Sequence, residues 1–401
     1  MTGPLLPRRS LLIGAAALAG TAKAQRTVDL RLPGGVSERP TSSAFPQKGE
    51  MIVQRVRPPL LETPFEVFDE GVFTPNDRFF VRWHWGDIPT SVDAATFRLT
   101  VRGAVGKTLS LSLAELMKLP RIDYAAVNQC SGNSRGLFDP RVPGAQWGHG
   151  AMGNARWTGV RLKDVLDMAG VNPGAVAVRF GGLDGALMPD APKFLKSLAV
   201  DHARDGEVMI AFLQNGEPLP LLNGFPLRLV VPGWFSTYWV KMLSDIEVLD
   251  KADENFWMAR AYRIPDTPGA SVVPGAKGYP TRPIGAMVAR AWITSHAEGA
   301  RIRVGQPFAV RGIAMGGDSG VKQVELSVDG GKSWSAARLG ADEGKYSFRR
   351  FEAVLPPPAA GPLTLMPRCT SAAGAVQPLA PVWNPSGYLR AQVEPVQVIA
   401  A

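Results

Sequence analysis

The sequence predicts a strand-rich α+β protein of two domains, the first mixing strands with short helices and the second an all-β, immunoglobulin-like sandwich. Three observations predict this. The 401 residues include 43 glycines and 35 prolines, about a fifth of the chain, a turn density that suits many short strands and not a helical bundle. Helical and strand periodicities mix up to about Pro265, and beyond it strand patterns prevail. With 45% hydrophobic and 20% charged residues, a chain of this length can bury sizeable cores, which excludes a disordered tail protein.

At the N-terminus, Arg8 and Arg9 precede Ser10 and an apolar run of 12 residues from Leu11 to Ala22, followed by Lys23 and Ala24. Residues 1–24 therefore read as a twin-arginine signal peptide, and the expected location is the periplasm. The run is shorter than the roughly 17 to 25 residues of a spanning helix, so no stable membrane anchor is expected. Cleavage after Ala24 would remove three basic residues and no acid, lowering the formal net charge from +9 to +6. No run of five or six basic residues occurs, which argues against nucleic acid as a partner. The twin-arginine route carries folded proteins, so a cofactor inserted before export is expected. Cys130 and Cys369 make no disulfide framework, no CxxCH for covalent haem and too few thiolates for an iron–sulfur cluster. A single Cys130–Cys369 bridge is compatible with an oxidising compartment.

Residues 25–59 are polar, without periodicity, and read as an extended arm lying on the first domain, which is assigned to 60–270. Phe79 to Trp85 reads as a strand with Arg82 and His84 on one side, or as a strand whose polar side faces water. Phe97 to Arg102 alternates strictly, as a half-buried strand does. Ser112 and Glu115 fit a capping box opening a short helix that Pro120 stops. Leu162, Val165, Leu166 and Ala169 form the apolar stripe of a second helix, ended by Gly170. Between these, Asn128 to Gly136 sets Cys130 in a polar, glycine-containing loop after the apolar stretch Tyr124 to Val127. Such a thiol can be a buried free cysteine, a nucleophile activated by Arg135 and backbone amides, or one soft ligand to a metal that brings its other ligands with it. Gln146 to Trp157 is glycine-rich with two tryptophans, and Asn223 to Gly233 followed by Trp239-Val240-Lys241 would be a plain buried strand but for Arg228 and Lys241. Pro268 to Pro283 is crowded with proline and glycine and marks the boundary to the second domain, 271–401. There Val324, Leu326 and Val328 run into Asp329-Gly330-Gly331, a hairpin signal, with Trp334 placed to pack on the sheet.

Taken together, Leu61-Glu62-Thr63-Pro64, Thr74-Pro75-Asn76, the Phe-Val-Arg-x-His strand, the Cys-x-Gly-Asn-x-Arg loop, Gly-Phe-Pro-x-Arg and Val-Lys resemble, in order and spacing, the sulfite oxidase family of molybdopterin enzymes. Ser327 to Trp334 and Trp383 to Tyr388 resemble that family's dimerisation domain, so the resemblance spans nearly the whole mature chain. It implies a sulfite-oxidase-type molybdopterin domain followed by the sandwich, in a homodimer. It further implies one molybdopterin-bound molybdenum per chain with Cys130 as the protein's thiolate ligand, a role that thiolate softness suits. Phe80, Val81, Arg82, Trp83, His84, Asp184, Asn223, Arg228, Trp239, Val240 and Lys241 fall where the family holds the pterin and its phosphate; Arg228, Lys241 and a protonable His84 would supply charge-assisted donors there. Arg82, Arg135, Trp147 and Tyr262 fall where it lines the substrate pocket, and two guanidiniums with a neutral phenol donor suit a small oxyanion.

The reaction so implied is sulfite plus water to sulfate, with two electrons left for an external c-type cytochrome, since no haem segment is present. Departures from the animal pattern are Asn223 in place of a His at the pterin, Ser134 in place of an Arg, and Ala261 in place of an acid; the resemblance is closer to bacterial periplasmic sulfite dehydrogenases. The competing readings are a related molybdopterin enzyme acting on another small oxyanion or a sulfoxide, whose relatives lack the sandwich, a cysteine hydrolase pairing Cys130 with His84 or His149, and a non-catalytic exported binding module.

Overall fold

A computed structural model describes residues 26–401; the signal-peptide expectation for 1–24 lies outside the described residues. Residues 26–59, expected as an extended arm lying on the first domain, contain strands that pair into one of its sheets. Thr27–Asp29, Glu38–Ser42 and Met51–Arg55 pair antiparallel in sequence with Leu60–Glu62, which pairs with Val81–Arg82. Polar composition hid the first three strands because their outer faces are solvated, and among them only Met51, Ile52 and Val53 are buried in a row.

Two further sheets complete the first domain. One runs Leu195–Ala199, Ala177–Gly182, Leu243–Leu249, Leu99–Gly103, Leu109–Leu111, antiparallel throughout except that Leu243–Leu249 and Leu99–Gly103 are parallel. The other centres on the long hairpin Arg121–Gln129 and Met152–Arg161, continued by Met209–Gln214, to which Arg228–Val230 also pairs. The two expected helices are short and capped as the sequence indicates. Ser112 and Glu115 make the reciprocal capping box of Leu113–Leu116, and Leu162–Ala169 ends on Gly170 in the left-handed conformation. The strand expected over Phe79 to Trp85 is paired only at Val81–Arg82.

The second domain is the expected sandwich. Ala289–Ile293, Phe308–Gly316, Arg349–Leu355 and Arg338–Leu339 form one sheet, and Ala300–Ile302, Val396–Ala400, Gly361–Ser371, Val321–Ser327 and Ser335–Ala336 the other. Side-chain alternation explains how the first of these sheets also joins the domains. Ala289, Ala291 and Ile293 pack into the sandwich core, whereas Trp292 packs into the core of the first domain and Arg290 bonds to Ser134 and Glu394. The strand is buried on both faces, and the one charged side chain it carries, Arg290, is paired with Glu394 where the domains meet. Cys369 lies in the sandwich core and its thiol is pushed up to about 12 by burial. Both cysteines are free, so the compatible Cys130–Cys369 bridge does not form. No helix among the described residues is long and apolar enough to cross a membrane.

Candidate active site

Cys130 follows directly on the strand Arg121–Gln129, and its loop is clamped from three sides. Its N–H donates to Ala151 O at 2.9 Å, Ser134 N–H to Gly148 O at 2.7 Å, and Leu389 N–H, from the second domain, to Ser131 O at 3.1 Å. Asn133 Oδ1 accepts from Ala151 N–H at 3.0 Å. The loop closes through Ser134 in the left-handed region, at φ 67°, and against Gly150, where a Cβ would lie 1.9 Å from Thr63 O. That close approach is a reason for glycine beside His149, and Cys130, Arg82 and Tyr262 are the three residues that line both of two adjoining cavities.

The inner cavity is narrow and lined by Phe80, Arg82, His84, Asn223, Arg228, Trp239 and Lys241, with Ser131, Phe194, Ser236 and Thr237. Strand alternation decides which of the expected residues reach it. Phe80, Arg82 and His84 face the cavity, while Val81 and Trp83 point the other way into a small apolar cluster with Met51, Val53, Leu61, Leu222 and Met242. Likewise Trp239 and Lys241 face it and Val240 between them is packed in the core. Val81, Trp83 and Val240 were expected with the binding residues from the family resemblance, but their side chains line neither cavity. Asp184 is buried but lines neither cavity; burial raises its pKa, opposed by the nearby charge of Lys241.

The inner cavity is built for an anion. Arg228 and Lys241 are direct antiparallel neighbours, an arrangement that is repulsive when nothing lies between or before them. Burial pushes Arg228 down to about 9, and burial together with Arg228 depresses Lys241. Arg228 donates to Asn223 O and Asn128 Oδ1, each at 2.9 Å, but its Nε has no partner. Arg82 Nη1, Ser131 Oγ and Thr237 Oγ1 are also buried without partners. Orphaned donors of this kind are costly unless a ligand satisfies them. His84 differs from the expectation of a protonable donor: burial and the cations Arg82, Lys241 and Lys196 hold its pKa well below the ordinary value. It stacks on Phe194 at 3.6 Å and shares a 2.5 Å hydrogen bond between Nε2 and Tyr262 Oη, so it serves as a neutral partner of the phenol.

The outer cavity, about 850 Å³, opens to solvent and holds Trp147, Tyr262 and six arginines, Arg39, Arg55, Arg82, Arg135, Arg260 and Arg263; among its described lining residues none is acidic. Arg135 is tightly enclosed, because a Cβ on Gly132, Gly144 or Gly387 would lie within 2.8 Å of its side chain. It lies 4.9 Å over the ring of Tyr388, which stacks at 5.4 Å on Tyr262. Tyr388 and Ser386 come from the second domain, which therefore completes the pocket. Tyr388, Arg55 and Arg260 were not anticipated; Tyr388 alone had a signal, in a motif associated only with dimerisation. The hydrolase reading loses its base, since His84 is bonded to Tyr262 and His149 Nδ1 to Ser134 Oγ at 2.8 Å.

No group of three or more His, Cys, Asp or Glu among the described residues could hold a metal unaided, so the chemistry of the donor set fits a metal whose remaining ligands come from an anionic organic group. Residues 85–257 match the oxidoreductase molybdopterin binding domain and residues 281–399 the Mo-co oxidoreductase dimerisation domain, so fold and site define a molybdopterin oxidoreductase. The chain is 33% identical over 371 residues to sulfite oxidase of Gallus gallus, covering 88% of this chain and 79% of that protein. It is 34% identical over 355 residues to mitochondrial sulfite oxidase of Homo sapiens, covering 84% and 63%. The sulfane dehydrogenase SoxCD from Paracoccus pantotrophus superposes with a TM-score of 0.71 at 27% identity over 84% of each chain. The chain belongs to the sulfite oxidase family. It spans 62 to 66% of the length of the mammalian relatives it matches.

Proposed function

We propose that the protein is a periplasmic sulfite dehydrogenase that carries one molybdenum cofactor per chain, oxidises sulfite to sulfate and passes the electrons to a separate c-type cytochrome. The observation that carries this reading is the position of Cys130 at the junction of an inner cavity rich in orphaned donors and an outer cavity rich in arginine. Arg228 and Lys241 would hold the phosphate end of molybdopterin, and Cys130 would ligate its metal. When bound, that cofactor supplies the two-electron redox chemistry.

The chain's own residues handle the substrate. Arg82 and Arg135 bind a sulfur oxyanion through charge-assisted hydrogen bonds, and the uniformly basic outer wall draws anions inward. Burial raises the pKa of Tyr262, so the phenol stays protonated. With Nε2 protonated, neutral His84 donates to Tyr262 Oη and leaves the phenol O–H free to donate to a substrate oxygen. Trp147, buried beside Cys130, helps to exclude water.

Export rests on the Arg8-Arg9 segment, homodimerisation on the dimerisation-domain match, and the cytochrome acceptor on the resemblance to bacterial periplasmic sulfite dehydrogenases. The test is metal analysis combined with sulfite-dependent reduction of cytochrome c by the purified mature protein. About one molybdenum per chain and strict dependence on sulfite are expected. A metal-free protein overturns the cofactor, and a loaded protein indifferent to sulfite overturns the substrate.

A further inference from the structure

Lys48 sits in the turn between Glu38–Ser42 and Met51–Arg55 and is only 7% exposed. Its three ammonium protons go to three neutral oxygens: Asn76 O at 2.8 Å, Phe79 O at 2.9 Å and Asn223 Oδ1 at 2.5 Å. The same turn is pinned to the same wall by Gln47, whose Oε1 accepts from Leu221 N–H at 2.8 Å. A buried cation whose donors all end on neutral oxygens is an expensive feature, and it needs a reason beyond holding a turn.

The chemistry of the two side chains supplies one. An ammonium group can only donate, so it must face the oxygen of the Asn223 amide and never the nitrogen. That choice turns Nδ2 away from Lys48. One Nδ2–H donates to Phe80 O at 3.0 Å, and Asn223 lines the inner cavity, where the second N–H is available to a ligand. Without Lys48 the amide could rotate and present its oxygen instead, an acceptor facing an anion. Asn223 O meanwhile accepts from Arg228, so the orientation of residue 223 and the guanidinium are parts of one construction.

We propose that Lys48 is a positioning residue for the phosphate of the cofactor: through Asn223 it fixes an N–H donor toward the inner cavity and places a cation behind that donor. This rests on the reading that the inner cavity receives molybdopterin. Burial and Arg228 push Lys48 down to about 7, with Asp77 opposing, and a phosphate in the cavity would draw it back toward its ordinary value.

The test compares molybdenum and pterin content per chain, with the melting of the same preparations, in wild type, Lys48→Met, Asn223→Asp and the double variant Lys48→Met/Asn223→His. Lys48→Met is expected to hold at least tenfold less cofactor. Asn223→Asp keeps an ion pair with Lys48 and so folds, but it presents an acceptor to the cavity and is also expected to be at least tenfold depleted. In the double variant the imidazole carries its own N–H and needs no ammonium to orient it, so cofactor content recovers. A merely structural lysine would leave folded Lys48→Met fully loaded, and that result overturns the proposal, as does a fully loaded Asn223→Asp or a folded but empty double variant. An empty wild type would instead overturn the cofactor reading itself.

Discussion

Replacing Arg82 by Gln separates substrate binding from folding, because the guanidinium does little for the fold. Among the described residues it makes no hydrogen bond, its Nη1 is buried without a partner, and it lies 6.0 Å from the centre of the Tyr262 ring. Glutamine of similar reach removes the charge and leaves no protein acceptor stranded. A charge-assisted hydrogen bond to an oxyanion contributes about 1.5–3 kcal/mol, which at 1.4 kcal/mol per factor of ten is roughly a 10- to 150-fold loss in kcat/KM for sulfite. If Arg82 acted only as a screened charge at about 4 Å in a water-like medium, the loss would be about 1 kcal/mol, or roughly fivefold. Steady-state turnover with ferricyanide at fixed ionic strength reads the first quantity, and a thermal melt of the same preparation reads the second. The expected result is a loss of roughly tenfold or more, chiefly in KM, with a melting temperature unchanged or slightly raised. A kcat/KM within a factor of two of wild type would refute the placement of Arg82 at the substrate, and a large fall in melting temperature would refute the claim that the fold does not use it.

Cys130→Ser should fold normally, since the thiol is buried without a side-chain hydrogen bond, yet lose sulfite turnover because a hydroxyl is a poor ligand for this metal; near-normal activity would remove Cys130 from that role. His149, bonded to Ser134 in the cysteine loop, is held down to about 4, chiefly by burial and also by Arg290 and Arg390, with Glu394 opposing. Its folded pKa lies below the unfolded value of 6.5, so the unfolded chain binds the proton first and stability falls as pH drops from about 6.5 to 4, by about 3 kcal/mol from this group. In urea unfolding, His149→Gln, a neutral side chain of similar reach, should flatten that part of the pH profile; an unchanged profile would contradict the assignment.

Legibility in the sequence followed the range of the physics. Features set by neighbours a few residues apart were readable. The capping box of Ser112 and Glu115, the stripe and glycine stop of Leu162 to Gly170, and the hairpin at Asp329-Gly330-Gly331 depend on contacts across one turn of chain, and the structure contains all three. The motif resemblance likewise pointed to the family, and Cys130, Arg82 and Tyr262 do meet. Contiguity was a poorer guide inside a motif. Pleating sends Val81 and Trp83 away from the site that Phe80, Arg82 and His84 face, and nothing in the order of residues states which side is which.

By itself, then, the sequence determined the two-domain, strand-rich architecture, the family and the thiol around which the site is built. Only the tertiary structure decided that residues 27–55 are strands of the sheet that carries Arg82, that Lys48 stands behind Asn223, and that Tyr388 of the second domain stacks on Tyr262 of the first. The last two pairs are 175 and 126 residues apart in the chain. Their contacts arise from how sheets pack and not from local pattern, and in a neutral His84 and a depressed Lys48 burial overrode the charge that residue type alone suggests.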